Sequence, residues 1–225
     1  MTADSASINL THHFLIAMPG LEDEAFAKSV VYVCEHSERG ALGLVINKPS
    51  DLSMEGLFEK VDLPLHRPDL MTAPVLQGGP VHTERGFVLH DAMLVDVPLD
   101  EAAQEVATEA AQEAAALNAV SHKESATESV YASTMAIPGG LEMTTSKDVL
   151  EALSMGAGPK RVLISLGYSA WGEGQLESEL AENSWLTVGA DTAVIFDTPV
   201  DQRYERAMQL LGLESWMLSS DVGHS

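Results

Sequence analysis

The sequence predicts an α+β protein, a mixed sheet with helices packed around it. Short β-branched runs outnumber segments of helical periodicity. Two of those runs are joined by a tight polar loop, the mark of a hairpin. The helical segments do not alternate strictly with strands, as a doubly wound parallel sheet requires. At 225 residues the chain is long enough for one full hydrophobic core, so residues 1–225 are expected to form one domain.

Residues 1–9 are small and polar and read as a tail. Phe14-Leu15-Ile16-Ala17-Met18 is a short apolar strand stopped by Pro19-Gly20. Val30-Val31-Tyr32-Val33-Cys34 has the β-branched and aromatic content of a buried strand. The chain turns through Glu35–Gly40 and returns as Ala41–Asn47, ended by Lys48-Pro49. Ser53 is placed to cap a helix through Lys60, with Met54, Leu57 and Phe58 on one face. Pro64 and Pro68 bound a loop. Val75–Gln77 and Gly86–His90 follow as strands, separated by Gly78-Gly79-Pro80.

From about 98 to 130 the texture changes to Ala, Glu and Gln, with seven acids and one base, Lys123. Glu101, Glu105, Glu109 and Glu113 stack at i,i+4, a like-charge stripe costing a few tenths of a kcal/mol per pair. Only Val106 and Leu117 are large apolar anchors, so an acidic Ala-rich insertion that adds little to the core is expected.

Order returns after Tyr131. A helix opens at Ser146-Lys147-Asp148, with Val149, Leu150 and Leu153 inward, and closes near Gly156. Arg161–Tyr168 is the strongest strand of the chain. Gln175–Glu182 reads as a short helix, Trp185–Val188 and Ala193–Phe196 as late strands, and Val200–Leu211 as a last helix ended by Gly212.

Twelve Lys and Arg face 34 Asp and Glu, a formal net charge of −22, and no Lys/Arg run occurs. Nucleic-acid binding needs clustered cations that displace counterions, so direct DNA or RNA contact is disfavoured, as is an anionic membrane surface. No apolar run approaches the roughly 18 residues of a membrane span. One cysteine, Cys34, and an N-terminus without the pattern of a secretory leader predict a reducing, cytoplasmic location.

Cys34 and His36 are the first candidates for chemistry. At i and i+2 of an unbroken strand they share a face, where an imidazolium lowers a thiol pKa and raises nucleophilicity. The competing reading makes Cys34 a small core residue and His36 a turn residue. For metal the eight histidines show no spaced ligand set, and only an assembly in space of His36, His82 or His90 would serve. No metal or cofactor is predicted. Gly167-Tyr168-Ser169-Ala170-Trp171 has the outline of a nucleophile elbow, but bulky Trp171 stands where that turn needs glycine. Trp171-Gly172-Glu173-Gly174-Gln175, between a strand and a helix, offers backbone amides for an anion, as does Gln77-Gly78-Gly79-Pro80, but the leading reading of both is a tight turn.

Several of these segments follow one another in a familiar order. They are Phe14–Pro19, Cys34-Glu35-His36, Gly43-Leu44-Val45-Ile46-Asn47-Lys48-Pro49, Gln77-Gly78-Gly79-Pro80, Gly167-Tyr168 with Gly174-Gln175-Leu176-Glu177, and Asn183-Ser184-Trp185-Leu186. Over about residues 8–97 and 131–220 the chain resembles the YqgE/AlgH family of bacterial proteins. The resemblance implies a strongly bent, barrel-like sheet surrounded by helices. It also implies a label of transcriptional regulator, a name with no established biochemical activity behind it. Two departures stand out. The family usually reads Tyr-Ala-Gly-Trp where this chain has Tyr168-Ser169-Ala170-Trp171, and the stretch from Pro98 to Val130 is longer than the usual connection.

The expected function is therefore a non-enzymatic regulator acting through protein or small-ligand contacts. A thiol enzyme or redox sensor using Cys34 and His36 is one alternative, and a nucleotide or anion binder is the other. The motif residues Asn47, Gln77, Gly78, Gly79, His90, Tyr168, Trp171, Gln175 and Glu177 are the candidate ligand contacts.

Overall fold

The computed structural model describes residues 8–21, 23–96 and 127–213. The backbone divides into a main unit, 1–92 with 131–225, and a second unit, 93–130. The main unit is an α+β fold whose mixed sheet is bent into an open, barrel-like curl with helices around it.

Its strands are β1 (His13–Ala17), β2 (Val30–Ser37), β3 (Gly40–Val45), β4 (Pro49–Ser53), β5 (Pro74–Gln77) and β6 (Val81–Asp91). In the second unit β7 (Leu94–Asp96) pairs antiparallel with β8 (Thr127–Ser129). The remaining strands are β9 (Thr134–Ile137), β10 (Leu141–Thr144), β11 (Val162–Trp171) and β12 (Trp185–Gly189). The main path runs β12-β1-β2-β3-β11-β6-β10-β9; β5 joins it on β11 and carries β4. All pairings are antiparallel except β5 with β11, which makes the sheet mixed.

The helices are α1 (Met54–Lys60), α2 (Pro68–Met71), α3 (Asp148–Ser154), α4 (Gln175–Ala181), α5 (Thr192–Phe196) and α6 (Arg203–Leu210), the last entered through a 3₁₀ turn at Val200–Gln202. Ser53 caps α1 as expected, accepting from the Gly56 amide at 3.1 Å. Alternation along β1 and β2 gives the sheet two apolar faces. Phe14, Ile16, Tyr32, Cys34 and Leu44 point into one cluster with Leu76, Leu89, Leu141, Val194 and Met208. Leu15, Val31, Val33 and Val45 point into another, with Trp171, Leu176 and Trp185. Arg203 is buried and donates to the carbonyls of Ile46 and Thr198, tying α6 to the sheet; burial lowers its guanidinium pKa to about 10.

Three expectations need correction. Ala193–Phe196 is helical, because Asp191 accepts from the Ala193 amide at 2.9 Å and that cap outweighs the β-branched pair Val194-Ile195. The strand placed at Gly86–His90 starts earlier, at Val81, and runs to Asp91, while the loop bounded by Pro64 and Pro68 stands as read and is followed by a one-turn helix that Pro68 opens. The strand from Arg161 does not stop at Tyr168 but runs on to Trp171. Of the acidic Ala-rich segment, residues 98–126 lie outside the described residues.

Strand β11 is the seam of the sheet. Its residues Val162–Tyr168 pair with β6, Ser165 and Leu166 also pair with β5, and Ser169–Trp171 pair with β3. The change of partner needs a register shift, which falls at Gly167 between Leu166 and Tyr168. Gly167 has φ +72°, and a Cβ there would lie 2.6 Å from the Gly79 carbonyl oxygen. A Gly167→Ala substitution combines left-handed strain with a backbone clash. Urea unfolding should show it destabilised by about 3 kcal/mol. Gly86→Ala, where a Cβ would meet nothing within 4 Å, should stay within about 1 kcal/mol of the parent.

Candidate functional site

The Asn47-Lys48-Pro49 and Gln77-Gly78-Gly79-Pro80 segments leave β3 and β5 side by side. Gly78 is hydrogen-bonded on both sides of its peptide backbone. Its amide donates to Leu166 O at 2.8 Å, and its carbonyl accepts from the Val45 amide at 2.8 Å and from Ser169 Oγ at 3.2 Å. Asn47 is a clamp on the preceding turn: Oδ1 accepts from the Val30 amide and Nδ2 donates to Lys28 O, both at 2.8 Å. With these turns held, a cavity of about 400 Å³ opens between them. Val45, Leu52, Pro80 and Leu166 give it apolar walls; Lys48, Ser50, Asp51, Gln77 and Thr83 supply polar groups.

Lys48 is half-buried there. Its Nζ donates to the carbonyls of Ala25 at 2.7 Å and Glu24 at 3.3 Å. Burial pushes its amine below the usual lysine range, and the Asp23 carboxylate offsets part of that shift. The volume lies within the range of small-molecule sites, and apolar walls with a few polar groups are their common composition. Gln77 and Gly79 line the cavity. Lys48, which the sequence reading passed over as a strand terminator, is the charge it contains along with Asp51. Its signal was its place beside Asn47 in a shared motif.

The other candidates fall elsewhere. Tyr168 is half-buried, stacked on His82 at 6.0 Å and tilted against Phe87 at 5.2 Å. His90 is fully buried, with Nδ1 donating to Asp91 O at 2.8 Å and Nε2 sharing a hydrogen bond with Thr144 Oγ1 at 2.9 Å. Ser169 is fully buried and its hydroxyl is spent on Gly78 O. His36, His82 and His90 each have different partners and do not converge.

Trp171, Gln175 and Glu177 do come together, in the attachment of α4. The hub is Glu179, which no sequence signal singled out. Its Oε2 accepts from the indole N–H groups of Trp171 at 2.9 Å and Trp185 at 2.7 Å, and its Oε1 accepts from Gln175 Nε2 at 3.0 Å. Phe26 packs on both indoles. Gln175 Oε1 caps the Gly172 amide at 3.1 Å, so the loop read as an anion nest is closed on its own side chain. His36 adds a fourth tie: Nδ1 accepts from the Leu10 amide at 3.0 Å, which leaves the proton on Nε2 to donate to Glu177 Oε1 at 2.9 Å.

The expected Cys34–His36 pair is not formed. A β-bulge between Val33 and Glu35 makes Cys34 an extra residue opposite β3, and this breaks the i,i+2 rule that would put both on one face. The thiol points into the cluster of Phe14 and Leu44 and donates to Tyr32 O at 3.7 Å. The imidazole meets α4, whose Leu176 belongs to the other cluster. Burial, with the Glu35 carboxylate nearby, pushes the thiol pKa up.

Two outcomes follow. A thiol reagent should leave Cys34 unmodified in the native protein up to pH 9 and label it fully in denaturant, with His36→Ala making no difference to the native rate. Glu179→Ala strands two buried indole donors, so urea unfolding should show a loss of about 2–4 kcal/mol and the tryptophan emission should shift to the red.

Comparison with known proteins covers the chain from end to end. A family model described as AlgH-like matches residues 14–216. A UPF0301 protein of Paracidovorax citrulli is 70% identical over 225 residues, all of both chains, and one of Polaromonas is 67% identical over the same span. The solution structure of the AlgH protein from Pseudomonas aeruginosa superposes with a TM-score of 0.66 at 39% identity, over 98% of each chain. A crystal structure of a protein from Corynebacterium diphtheriae shares the fold at 17% identity, with a TM-score of 0.62 over 94% of this chain and 92% of that one. The bent sheet, the ordered motifs and full-length identity of this degree carry one conclusion: the chain belongs to the AlgH-like family.

Proposed function

We propose that this protein is a non-enzymatic regulatory protein that binds a small ligand in the Lys48–Gln77–Gly79 cleft and acts through protein contacts. One observation carries the reading. Two motifs 30 residues apart, Asn47-Lys48-Pro49 and Gln77-Gly78-Gly79-Pro80, fold against each other and border a single cavity that also contains the half-buried Lys48. The family's association with regulation supports the regulatory part, and the net charge of −22 argues against a direct grip on DNA. Nothing in the arrangement favours the thiol alternative, because Cys34 and His36 face different clusters.

The test is a thermal-shift screen of the pure protein against organic acids, amino acids, nucleotides and sugar phosphates, followed by Lys48→Ala. A ligand at a hundred times its dissociation constant adds roughly 2.7 kcal/mol, a rise of several degrees for a protein of this size. At least one class should raise the Tm, and Lys48→Ala should lower that affinity tenfold or more. Retention of a specific DNA sequence by the isolated protein at 150 mM salt would overturn the indirect mode of action.

A further inference from the structure

The Lys48–Gln77–Gly79 cleft carries two charges of opposite sign that do not satisfy each other. Lys48 and Asp51 both border it, yet no ion pair joins them among the described residues. Lys48 is half-buried and held by two backbone carbonyls, which use two of its three ammonium protons. No further partner of that ammonium is found among the described residues, so its third proton is available to an acceptor. Asp51 is exposed, and its carboxylate accepts no hydrogen bond from the described residues. Ser50 Oγ donates to Leu52 O and accepts from the Leu52 amide, both at 3.2 Å, which pins the backbone on either side of Asp51. Each charge is thus held by its own stretch of backbone.

The balance of charge around Lys48 selects against a simple anion. The Asp23 carboxylate is close enough to offset part of the cost of burying Lys48, and its Oδ1 is occupied by the amides of Ala25 and Phe26. With Asp51, two carboxylates outnumber the one lysine, in a chain of net charge −22. A phosphate ester brings about two negative charges to this single cation, so it gains one contact and meets two repulsions. A ligand with an ammonium of its own removes the conflict, because each of its charges finds an opposite one. Gln77 adds a neutral acceptor: its Nε2 donates to Pro49 O at 3.2 Å, and its Oε1 has no partner among the described residues. The apolar walls, Val45, Leu52, Pro80 and Leu166, suit an aliphatic side chain.

We infer that the cleft takes an aliphatic α-amino acid in its zwitterionic form, with the carboxylate on Lys48, the ammonium on Asp51 and the side chain against the apolar wall. This rests on the small-ligand reading of the cleft and names the chemical class that the cleft takes.

The experiment titrates the parent protein with leucine, leucinamide and isocaproate. Binding is followed by amide chemical shifts of residues 45–52 and 77–83. Leucine should bind roughly tenfold or more tighter than leucinamide, which lacks the carboxylate. It should bind about threefold or more tighter than isocaproate, which lacks the ammonium that an exposed Asp51 would hold. Glycine, which leaves the apolar wall bare, should bind roughly tenfold or more weakly than leucine. Lys48→Met should erase the advantage over leucinamide, and Asp51→Asn the advantage over isocaproate. The comparison among ligands uses the parent protein alone and so stands even where a variant fails to fold. Leucinamide or isocaproate binding as tightly as leucine overturns the zwitterion assignment. So do amino acids that leave the cleft resonances unmoved while another ligand class shifts them, and in that case the small-ligand reading stands. If no ligand of any class shifts those resonances, the small-ligand reading falls with it.

Discussion

The close crossing of Gly78-Gly79 over Gly167 is the constraint on which the rest of the main unit depends. Strand β11 must leave β5 and β6 and turn to β3 within its ten residues, and the chain after β5 must lie against it as it does so. A Cβ on Gly78 would lie 2.2 Å from the Gly167 carbonyl oxygen, and one on Gly79 2.3 Å from the Tyr168 carbonyl carbon. Backbones approach this closely only without side chains. Hydrogen bonds from the Val45 amide and the Ser169 hydroxyl to its carbonyl, and from its own amide to Leu166 O, then converge on one residue, Gly78. The curl of the sheet and the cleft beside it come from the same contact.

On the other apolar face the design is different. There the short helix α4 is held by carboxylates and by one buried leucine, Leu176. Glu179 binds two indoles and a glutamine, and Glu177 binds an imidazole, so most of the polar side chains that looked like a ligand loop serve to fasten a helix. Buried donors that are satisfied by a single acceptor make such a joint rigid and intolerant of change. Two groups among the candidate residues thus have separate tasks: Trp171, Gln175 and Glu177 hold α4, and Gln77 and Gly79 shape a cavity.

Much of the fold was legible in the residues. The hairpin of β2 and β3, the Ser53 cap and the strength of β11 all follow from local pattern. The α5 helix was misread because two β-branched residues mask the Asp191 cap. Strands β4, β9 and β10 escaped because they are only four or five residues long, and β4 and β10 also depend on partners distant in the chain. The site was less legible. The Cys34–His36 pairing failed on a bulge, which is a property of two strands together and leaves no mark in one of them. Glu179 escaped because an acid in a short helix is ordinary until two indoles arrive from β11 and β12. Gln77 and Gly79 were legible in their Gly-Gly-Pro turn and in the family resemblance, whereas Lys48 stood in a shared motif and only the cavity singled it out.

The placement of β11 late in the chain also bears on synthesis. Strands β3, β5 and β6 are complete by residue 91, yet the strand that pairs with all three begins at Val162. Until it has left the ribosome, three strands present open edges, and β1 waits longer still for β12. Non-local pairing of this kind folds slowly and exposes hydrogen-bonding edges in the meantime. A chain cut before Val162 keeps both sets of strands and lacks the seam that joins β3 to β5 and β6.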